Sequence, residues 1–366
     1  MIKNIKEIYE YSSDFDIPPT DVFLIALNTC GARSELNFLR VRSYIIPRFV
    51  NTKFYLMICL NTTNSPFYLK DSQIYLNDEF VGKLIKLEED PAELCYFRKK
   101  NRVLVLNTND RTSCIGKCAF CGSLFQKPRY NLKIIKFKEL LSFFENIEKI
   151  SGTKFSKLES INLCTGLFET EKKLVRHILD IYSAAKTLGF DGEIAYIGTQ
   201  IRSKKSLNKI STKIPKFYYL FALETLEKKN LIDRRKRICN SYYLDNVIRF
   251  LKKLKKYNFQ ISILYVLGLD SLPVIEEAFY KIKKYLTRFP VINLFQAYHP
   301  IHENLRHPQA RKLDYFLKAR KVFEKIFSST DMRPNLWENY RGLWYTTFGK
   351  EEIRKYAYFQ TFIRGY

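Results

Sequence analysis

Residues 109–122 read NDRTSCIGKCAFCG, a short segment that contains three cysteines in the spacing C-x3-C-x2-C. The segment directly follows the apolar run RVLVLNT at residues 102–108, which is typical of a buried β-strand. A strand followed by such a loop places the thiols at the carboxyl end of the strand, where open α/β sheets and barrels have their sites. Gly116 and Gly122 let the backbone turn tightly around a bulky group.

The three cysteines, Cys114, Cys118 and Cys121, are close enough in sequence to bind three corners of one metal centre. No fourth cysteine follows nearby, so a [4Fe–4S] cluster held here would keep one iron open for an exogenous ligand. Zinc would need a fourth ligand, and none of the histidines has the usual local spacing to the loop: His177, His299, His302 and His307. The spacing therefore favours an iron–sulfur cluster over zinc and over three thiols without a metal.

Strand-like and helix-like segments alternate from residue 102 onward. Six apolar runs have the length and composition of buried strands, at residues 102–108, 160–164, 193–198, 217–223, 261–268 and 291–298. Helical patterns follow them, with the first near residues 134–150 and the last near 308–326. This alternation predicts a parallel sheet covered by helices. The periodicity fits both a doubly wound open sheet and a partial or full α/β barrel.

The regions on either side of this alternation have a different character. Residues 1–103 contain short strand-like runs, and we predict a β-rich or mixed α/β accessory region there; the runs are VFLIALNT, RSYIIP, KFYLMICLN, IYL and EFVGKLIKL. We expect residues 104–330 to form the main domain. Residues 331–366 form an aromatic-rich tail with both tryptophans of the chain, and we expect it to pack on the main domain.

The chain is strongly basic, with 62 Lys and Arg against 37 Asp and Glu and a formal net charge of +25. Such a surface can bind nucleic acid, but the basic runs lie on helical patterns and are explained by solvated helix faces. Nucleic acid is therefore a partner that the charge permits without favouring. No apolar run is long enough to span a membrane, and scattered cysteines suit a reducing compartment, so we expect a cytoplasmic location.

The cysteine segment resembles the C-x3-C-x-aromatic-C motif of the radical S-adenosylmethionine (SAM) superfamily, with Phe120 at the aromatic position. The resemblance covers residues 100–330 and implies a partial (β/α)6 TIM-like barrel with two cofactors, a [4Fe–4S] cluster and SAM. It implies that the open iron chelates the amino and carboxylate groups of SAM, while Phe120 packs near the adenine. An electron from a reduced flavodoxin or ferredoxin would then cleave SAM to methionine and a 5′-deoxyadenosyl radical, which abstracts hydrogen from a substrate.

The same resemblance implies SAM contacts at the ends of the other strands. Thr165 and Gly166 follow the second strand, where the family often has a glycine-rich segment, although the Gly-Gly-Glu form is absent here. Glu224 ends the fourth strand, at the acidic position of the biotin synthase branch. The remaining SAM-contact residues that we predict are Gln200 after the third strand, Arg237 or its neighbours Arg234 and Arg235, Val266 on the fifth strand and Gln296 after the sixth.

One departure from the biotin synthase branch bears on the reaction. Cys164 falls where that enzyme has one ligand of an auxiliary [2Fe–2S] cluster, but the matching places on the third and fifth strands hold no cysteine. We therefore expect a biotin synthase-like enzyme without sulfur insertion, acting on a small, amino-acid-like metabolite in a biosynthetic pathway. The alternatives are radical modification of a nucleotide, RNA or peptide, and a non-catalytic metal-binding regulatory module.

Overall fold

A computed structural model of the chain describes residues 2–62, 64–89, 95–107, 114–121, 136–232, 243–297, 299–338 and 340–350. Within these residues the helices are α1 (Ile5–Phe15), α2 (Pro19–Cys30), α3 (Phe137–Ser151), α4 (Glu171–Thr187), α5 (Lys204–Lys213), α6 (Leu244–Leu254), α7 (Leu272–Ile282), α8 (Pro300–Glu303) and α9 (Leu313–Phe327). No helix in these ranges combines the length and apolarity needed to cross a bilayer.

The strands of the described residues form two sheets, of six and seven strands. The smaller sheet contains β1 (Arg33–Ser34), β2 (Arg40–Pro47), β3 (Phe54–Cys59), β4 (Phe67–Lys70), β5 (Gln73–Leu76) and β6 (Glu79–Glu89). The larger sheet contains β7 (Cys95–Arg98), β8 (Val103–Leu106), β9 (Ser160–Leu163), β10 (Glu193–Gly198), β11 (Phe217–Glu224), β12 (Gln260–Leu267) and β13 (Val291–Leu294).

The larger sheet contains all six strands predicted from the apolar runs. Strands β8 to β13 are parallel and lie side by side in sequence order, and β7 adds to the edge at β8 in the antiparallel direction. A doubly wound sheet reverses its strand order at a switch point. This sheet does not reverse, so its order is that of a barrel segment, with β7 and β13 as the two edges. That the sheet curves into a partial (β/α)6 barrel stays a prediction.

The helices between these strands form because each has an apolar stripe that faces the sheet. Helix α4 shows the pattern most clearly: Thr170 caps its first turn by accepting a hydrogen bond from the Lys173 backbone N–H. Its buried side is a stripe at helical spacing that includes Leu174, Ile178 and Ile181. Strands β8, β9 and β11 are buried along their whole length. Such burial is expected of parallel strands that are covered on both faces of the sheet.

One of the strands predicted for the N-terminal region is a helix in the structure. The run VFLIALNT, predicted as a strand, lies inside helix α2. An unbroken apolar run has no periodicity that separates a buried strand from a buried helix. Here ten of the twelve residues of α2 are buried and Pro19 stands at its first turn, a position that suits a helix start. Strand β7 lies before the predicted boundary at residue 103 but pairs with β8 in the larger sheet.

The segment 340–345 joins the two sheets at their edges. The carbonyl of Tyr340 accepts a hydrogen bond from the Met57 N–H on β3, at 3.1 Å, and the carbonyl of Arg341 accepts one from the Leu294 N–H on β13, at 2.7 Å. Both β3 and β13 are edge strands. Further along, the Trp344 ring packs 5.0 Å from the ring of Phe289. Residues 340–345 therefore lie between the two sheets, and Leu343, Trp344 and Tyr345 are part of the packed interior.

Buried polar contacts add to this junction. The side-chain amide nitrogen of Gln296 donates to Asn28 Oδ1 at 2.8 Å and to the Met57 carbonyl at 2.7 Å. Arg320 on α9 forms an ion pair with Asp21 on α2 at 2.5 Å, and both side chains are almost completely buried. A buried charge is tolerated only when it is paired, so this contact requires α2 and α9 to pack together.

Candidate functional site

The cysteine segment lies against the turn that follows β9. The Leu167 N–H donates a hydrogen bond to Cys114 Sγ, with 3.2 Å between nitrogen and sulfur, and the Leu167 carbonyl accepts one from the Ile115 N–H at 3.2 Å. Gly166 has a φ of +69°, and a Cβ at that position would lie 2.7 Å from the Cβ of Cys114. The close approach of the two backbones therefore depends on glycine at residue 166.

The second half of the segment is held by contacts from distant parts of the chain. The Ala119 N–H donates to the Leu231 carbonyl at 2.7 Å, and the Cys121 N–H donates to the Cys118 carbonyl at 3.0 Å, which closes a tight turn. The buried side chain of His302 hydrogen-bonds the backbone of Ala119; burial lowers the pKa of this imidazole, and the neighbouring His299 lowers it further. From the sequence, we considered His302 only as a zinc ligand, and its spacing to the loop does not fit that role.

The donor chemistry of the segment fits an iron–sulfur cluster in type and in surroundings. Three thiols stand within eight residues, and one of them already accepts a backbone N–H, the kind of hydrogen bond that tunes cluster thiolates. Cys118 and Phe120 are buried, whereas Cys114 and Cys121 are partly exposed. Across the described part of the chain, no three His, Cys, Asp or Glu side chains are already gathered around a common point that would hold a metal ion.

Gln200, predicted as a SAM contact, holds the turn after β9 in place. Its side-chain oxygen accepts from the Phe168 N–H at 3.0 Å, and its side-chain nitrogen donates to the Phe168 carbonyl at 2.6 Å. Thr165 is fully buried just before Gly166 in the same turn. Gln200 thus fixes the backbone that carries Thr165, Gly166 and Leu167, and through Leu167 it bears on Cys114.

Glu224 adopts a backbone conformation that is costly for a residue with a side chain. It ends β11 with a φ of +65°, next to a bulge in the pairing with β12, and its side chain is buried. A left-handed residue other than glycine at a strand end stores strain of about 1–2 kcal/mol, which the surrounding structure must hold in place. Such strain is concentrated at functional sites, and this residue is the predicted acidic SAM contact.

The turn after Glu224 is organised by Asp270, which follows β12 and is completely buried. Its carboxylate accepts hydrogen bonds from Thr225 Oγ1, from the Leu226 N–H at 2.7 Å and from the Glu227 N–H at 2.9 Å. The hydroxyl of Tyr265 donates to the same carboxylate, and burial together with Asp270 raises the pKa of Tyr265 well above its ordinary value. Nothing in the spacing of the sequence pointed to Asp270.

The remaining predicted residues have different surroundings. Val266 lies on β12 and pairs in register with Asn293 on β13, one strand from Glu224. Gln296 is buried and directs its amide nitrogen into the N-terminal region, so that atom serves the junction between the sheets. Arg237 and its alternatives Arg234 and Arg235 lie outside the described residues. The described contacts therefore bring Gly166 and Leu167 to the cysteine segment, with Gln200 on the adjoining Phe168 and Glu224 at the carboxyl end of the same sheet.

Comparisons with known proteins give a limited likeness. No protein-family model matches the sequence, and no curated protein matches it. Among solved structures, Streptococcus suis SuiB bound to S-adenosylmethionine is 15% identical, with a TM-score of 0.42 over 65% of this chain and 50% of that chain. SuiB bound to precursor peptide SuiA is 16% identical, with a TM-score of 0.39 over 59% of this chain and 44% of that chain. The likeness spans half or less of those SuiB chains, and at this level it establishes no shared activity.

Proposed function

We propose that the protein is a radical SAM enzyme, in which Cys114, Cys118 and Cys121 hold a [4Fe–4S] cluster. The observation that carries this proposal is the contact between Cys114 and the turn after β9, where Gly166 leaves no room for a side chain. That contact joins the three-thiol segment to the carboxyl end of a parallel sheet, the edge at which such folds bind their ligands.

The residues around the segment suit the handling of a bound cluster and SAM. When bound, the cluster would supply an electron and SAM would supply the group that abstracts hydrogen. The Leu167 N–H donates to Cys114 Sγ, the kind of hydrogen bond that orients and tunes a sulfur ligand of a cluster. Buried Cys118 and Phe120 shield that side of the segment from water, which protects radical chemistry from quenching.

Strand ends would hold SAM along the same edge of the sheet. Thr165 and Gly166 stand beside Cys114, and the carboxylate of Glu224 is fixed at the end of β11 by the turn that Asp270 organises. We assign the SAM ammonium to this side, because an anionic and hydroxyl-bearing site favours a cation. Phe120, Gln200, Arg237, Val266 and Gln296 complete the proposed set, with Gln200 acting by positioning the turn at Phe168.

The proposal extends to fold, partners and substrate. It implies that β8 to β13 form a partial (β/α)6 barrel and that a flavodoxin or ferredoxin delivers the electron. The substrate class that we favour is a small metabolite, because no auxiliary cluster ligands accompany Cys164 at the matching strand positions. We place residues 1–103 as an accessory region and the tail as a segment that packs on the barrel.

Anaerobic reconstitution with iron and sulfide tests the proposal. The reconstituted protein, supplied with dithionite and SAM, should form 5′-deoxyadenosine, and Cys114→Ala, Cys118→Ala and Cys121→Ala should each lose bound iron and this product. Cys164→Ala is the matched control, since it removes an exposed thiol outside the motif and should keep its iron. Protein that binds zinc alone and forms no 5′-deoxyadenosine would support the regulatory module instead.

A further inference from the structure

Arginine and tyrosine side chains from three parts of the chain meet on one face of the larger sheet. The guanidinium carbon of Arg98 on β7 lies 4.1 Å from the ring centre of Tyr340, and that of Arg42 on β2 lies 4.7 Å from the ring centre of Tyr96. Arg341 adds a third guanidinium beside Tyr340, at 6.0 Å. We call these five residues the arginine–tyrosine cluster; they come from both sheets and from the tail that joins them.

The cluster lies on the face of the sheet opposite the helices, where Arg42, Tyr96 and Arg98 are buried. Side chains alternate between the two faces of a strand, so Tyr96 and Arg98 point away from Phe97, which belongs to the core under the helices. Tyr96 packs instead with Val105 in a small separate group. The helix-free face is thus lined here by cationic and phenolic groups, in contrast to the apolar core on the other side.

The strand end above the cluster is open to solvent. Cys164 continues the alternation of β9 on the helix-free face and is exposed. It is near enough to Tyr96 and Tyr340 to influence the pKa of both phenols. Two residues later, Gly166 contacts Cys114. A molecule bound at the cluster would therefore extend along the helix-free face toward the cysteine segment.

The charges of the cluster lower the pKa of the Tyr340 phenol. Burial acts to raise the pKa of this phenol, but the charges of Arg98, Arg341 and Arg42 outweigh burial and hold the pKa below its ordinary value. Glu338 is an acidic group near Arg98; burial raises the pKa of Glu338, and Arg288 lies near it as well. The guanidinium charges thus favour the phenolate of Tyr340 even with this carboxyl nearby.

We propose that the arginine–tyrosine cluster binds an oxyanion group of the substrate, a carboxylate or a phosphate, on the helix-free face of the sheet. Guanidinium groups are suited to this task, because their planar N–H donors match two oxygens of a carboxylate or phosphate. This inference rests on the proposed function, because it assumes that the protein is an enzyme with a substrate. It adds that the substrate is an anionic molecule. It also gives residues 1–103 a role, since Arg42 comes from the N-terminal sheet.

Anion binding to the reconstituted protein tests this assignment without any turnover. Calorimetry with inorganic phosphate and, separately, with malonate is run at constant ionic strength. We expect at least one of the two anions to bind, and Arg98→Gln and Arg42→Gln each to weaken it about ten-fold, the loss typical of a charged hydrogen bond. Arg176→Gln removes the same charge from an exposed position on α4 and should leave binding unchanged. Two variants from different sheets guard against misfolding of either one.

Titration of the phenols supplies a second readout. The wild type should show a tyrosinate absorbance step below the ordinary tyrosine pKa of 10.0, and Tyr340→Phe should remove that step. A bound anion offsets the guanidinium charges, so phosphate or malonate should move the step to higher pH. The assignment is contradicted if neither anion shifts the absorbance step, or if the step is still present in Tyr340→Phe.

The outcomes separate the possible sources of the anion. Binding of phosphate alone supports a phosphorylated substrate, and binding of malonate alone supports a carboxylic acid. Binding that is equally strong in Arg98→Gln and Arg42→Gln, or absent from the wild type, overturns the inference. Full displacement of the anion by SAM overturns it too, because the group held would be the carboxylate of SAM. None of these results depends on 5′-deoxyadenosine, so the proposed function is judged separately.

Discussion

Replacement of Gly166 by alanine isolates the contact on which the cysteine segment rests. Two costs are expected. The φ of +69° is strained for any residue with a Cβ, at about 1 kcal/mol. In addition, the new Cβ would lie 2.7 Å from the Cβ and 2.9 Å from the Sγ of Cys114, so Cys114 would have to move by about 1 Å to restore ordinary contact. The second cost should appear as a loss of iron affinity of about ten-fold or more.

Gly152→Ala is the matched control for this experiment. Gly152 ends α3 with a φ of +66°, but nothing lies within 4 Å of the position of its missing Cβ. Gly152→Ala should therefore lose stability through strain alone, with a midpoint of thermal unfolding about 2 °C lower, and Gly166→Ala should lose at least as much. Iron and sulfide per chain after anaerobic reconstitution should fall in Gly166→Ala alone. Equal iron content in the two variants would refute the reasoning, because displacement of Cys114 would then have no effect on iron binding.

Three further changes test other contacts. Arg320→Met leaves the Asp21 carboxylate buried without its cation, and the free energy of unfolding in urea should fall by about 3–5 kcal/mol; a loss below about 1 kcal/mol would show that the pair does not hold the two regions together. Gln200→Leu keeps the volume but removes both hydrogen bonds to Phe168, so unfolding should become about 1–3 kcal/mol easier and bound iron should fall, whereas unchanged iron would remove Gln200 from the support of the site. Glu224→Gly should be about 1 kcal/mol more stable than Glu224→Ala, because only glycine relieves a φ of +65°, while both should bind SAM equally weakly in equilibrium dialysis; equal stability would argue against strain at this residue.

Much of the larger sheet could be predicted from the apolar runs, because a strand in a parallel sheet excludes polar residues along most of its length. Residues 193–198 form β10 as predicted. The last strand is shorter than its apolar run, since β13 ends at Leu294 while the run continues. The residues that follow turn to the N-terminal region, as the contacts of Gln296 show. Periodicity carries no information about such long-range contacts.

The candidate site likewise contains residues that a local sequence pattern indicates and residues that only the folded structure brings together. Close spacing along the chain made the three cysteines recognisable, and the family motif led to Gly166 and Glu224. Asp270 and His302 act on backbone that lies far from them in sequence, at residues 226–227 and 119, so no local pattern could reveal them. The same holds for Arg42 and Arg98, which meet only because two separate sheets pack together.

The hydrogen bonds from Met57 and Leu294 to the segment 340–345 have a consequence for anyone who dissects this protein. An exposed edge strand is a template for pairing with another chain, and native proteins cover such strands. A fragment that stops at residue 330 would expose the edge strands β3 and β13. It would also remove the hydrogen bonds that Tyr345 and Thr346 donate to Asp21. Such a fragment should self-associate through β3 and β13, so any fragment made for expression should keep residues 340–347.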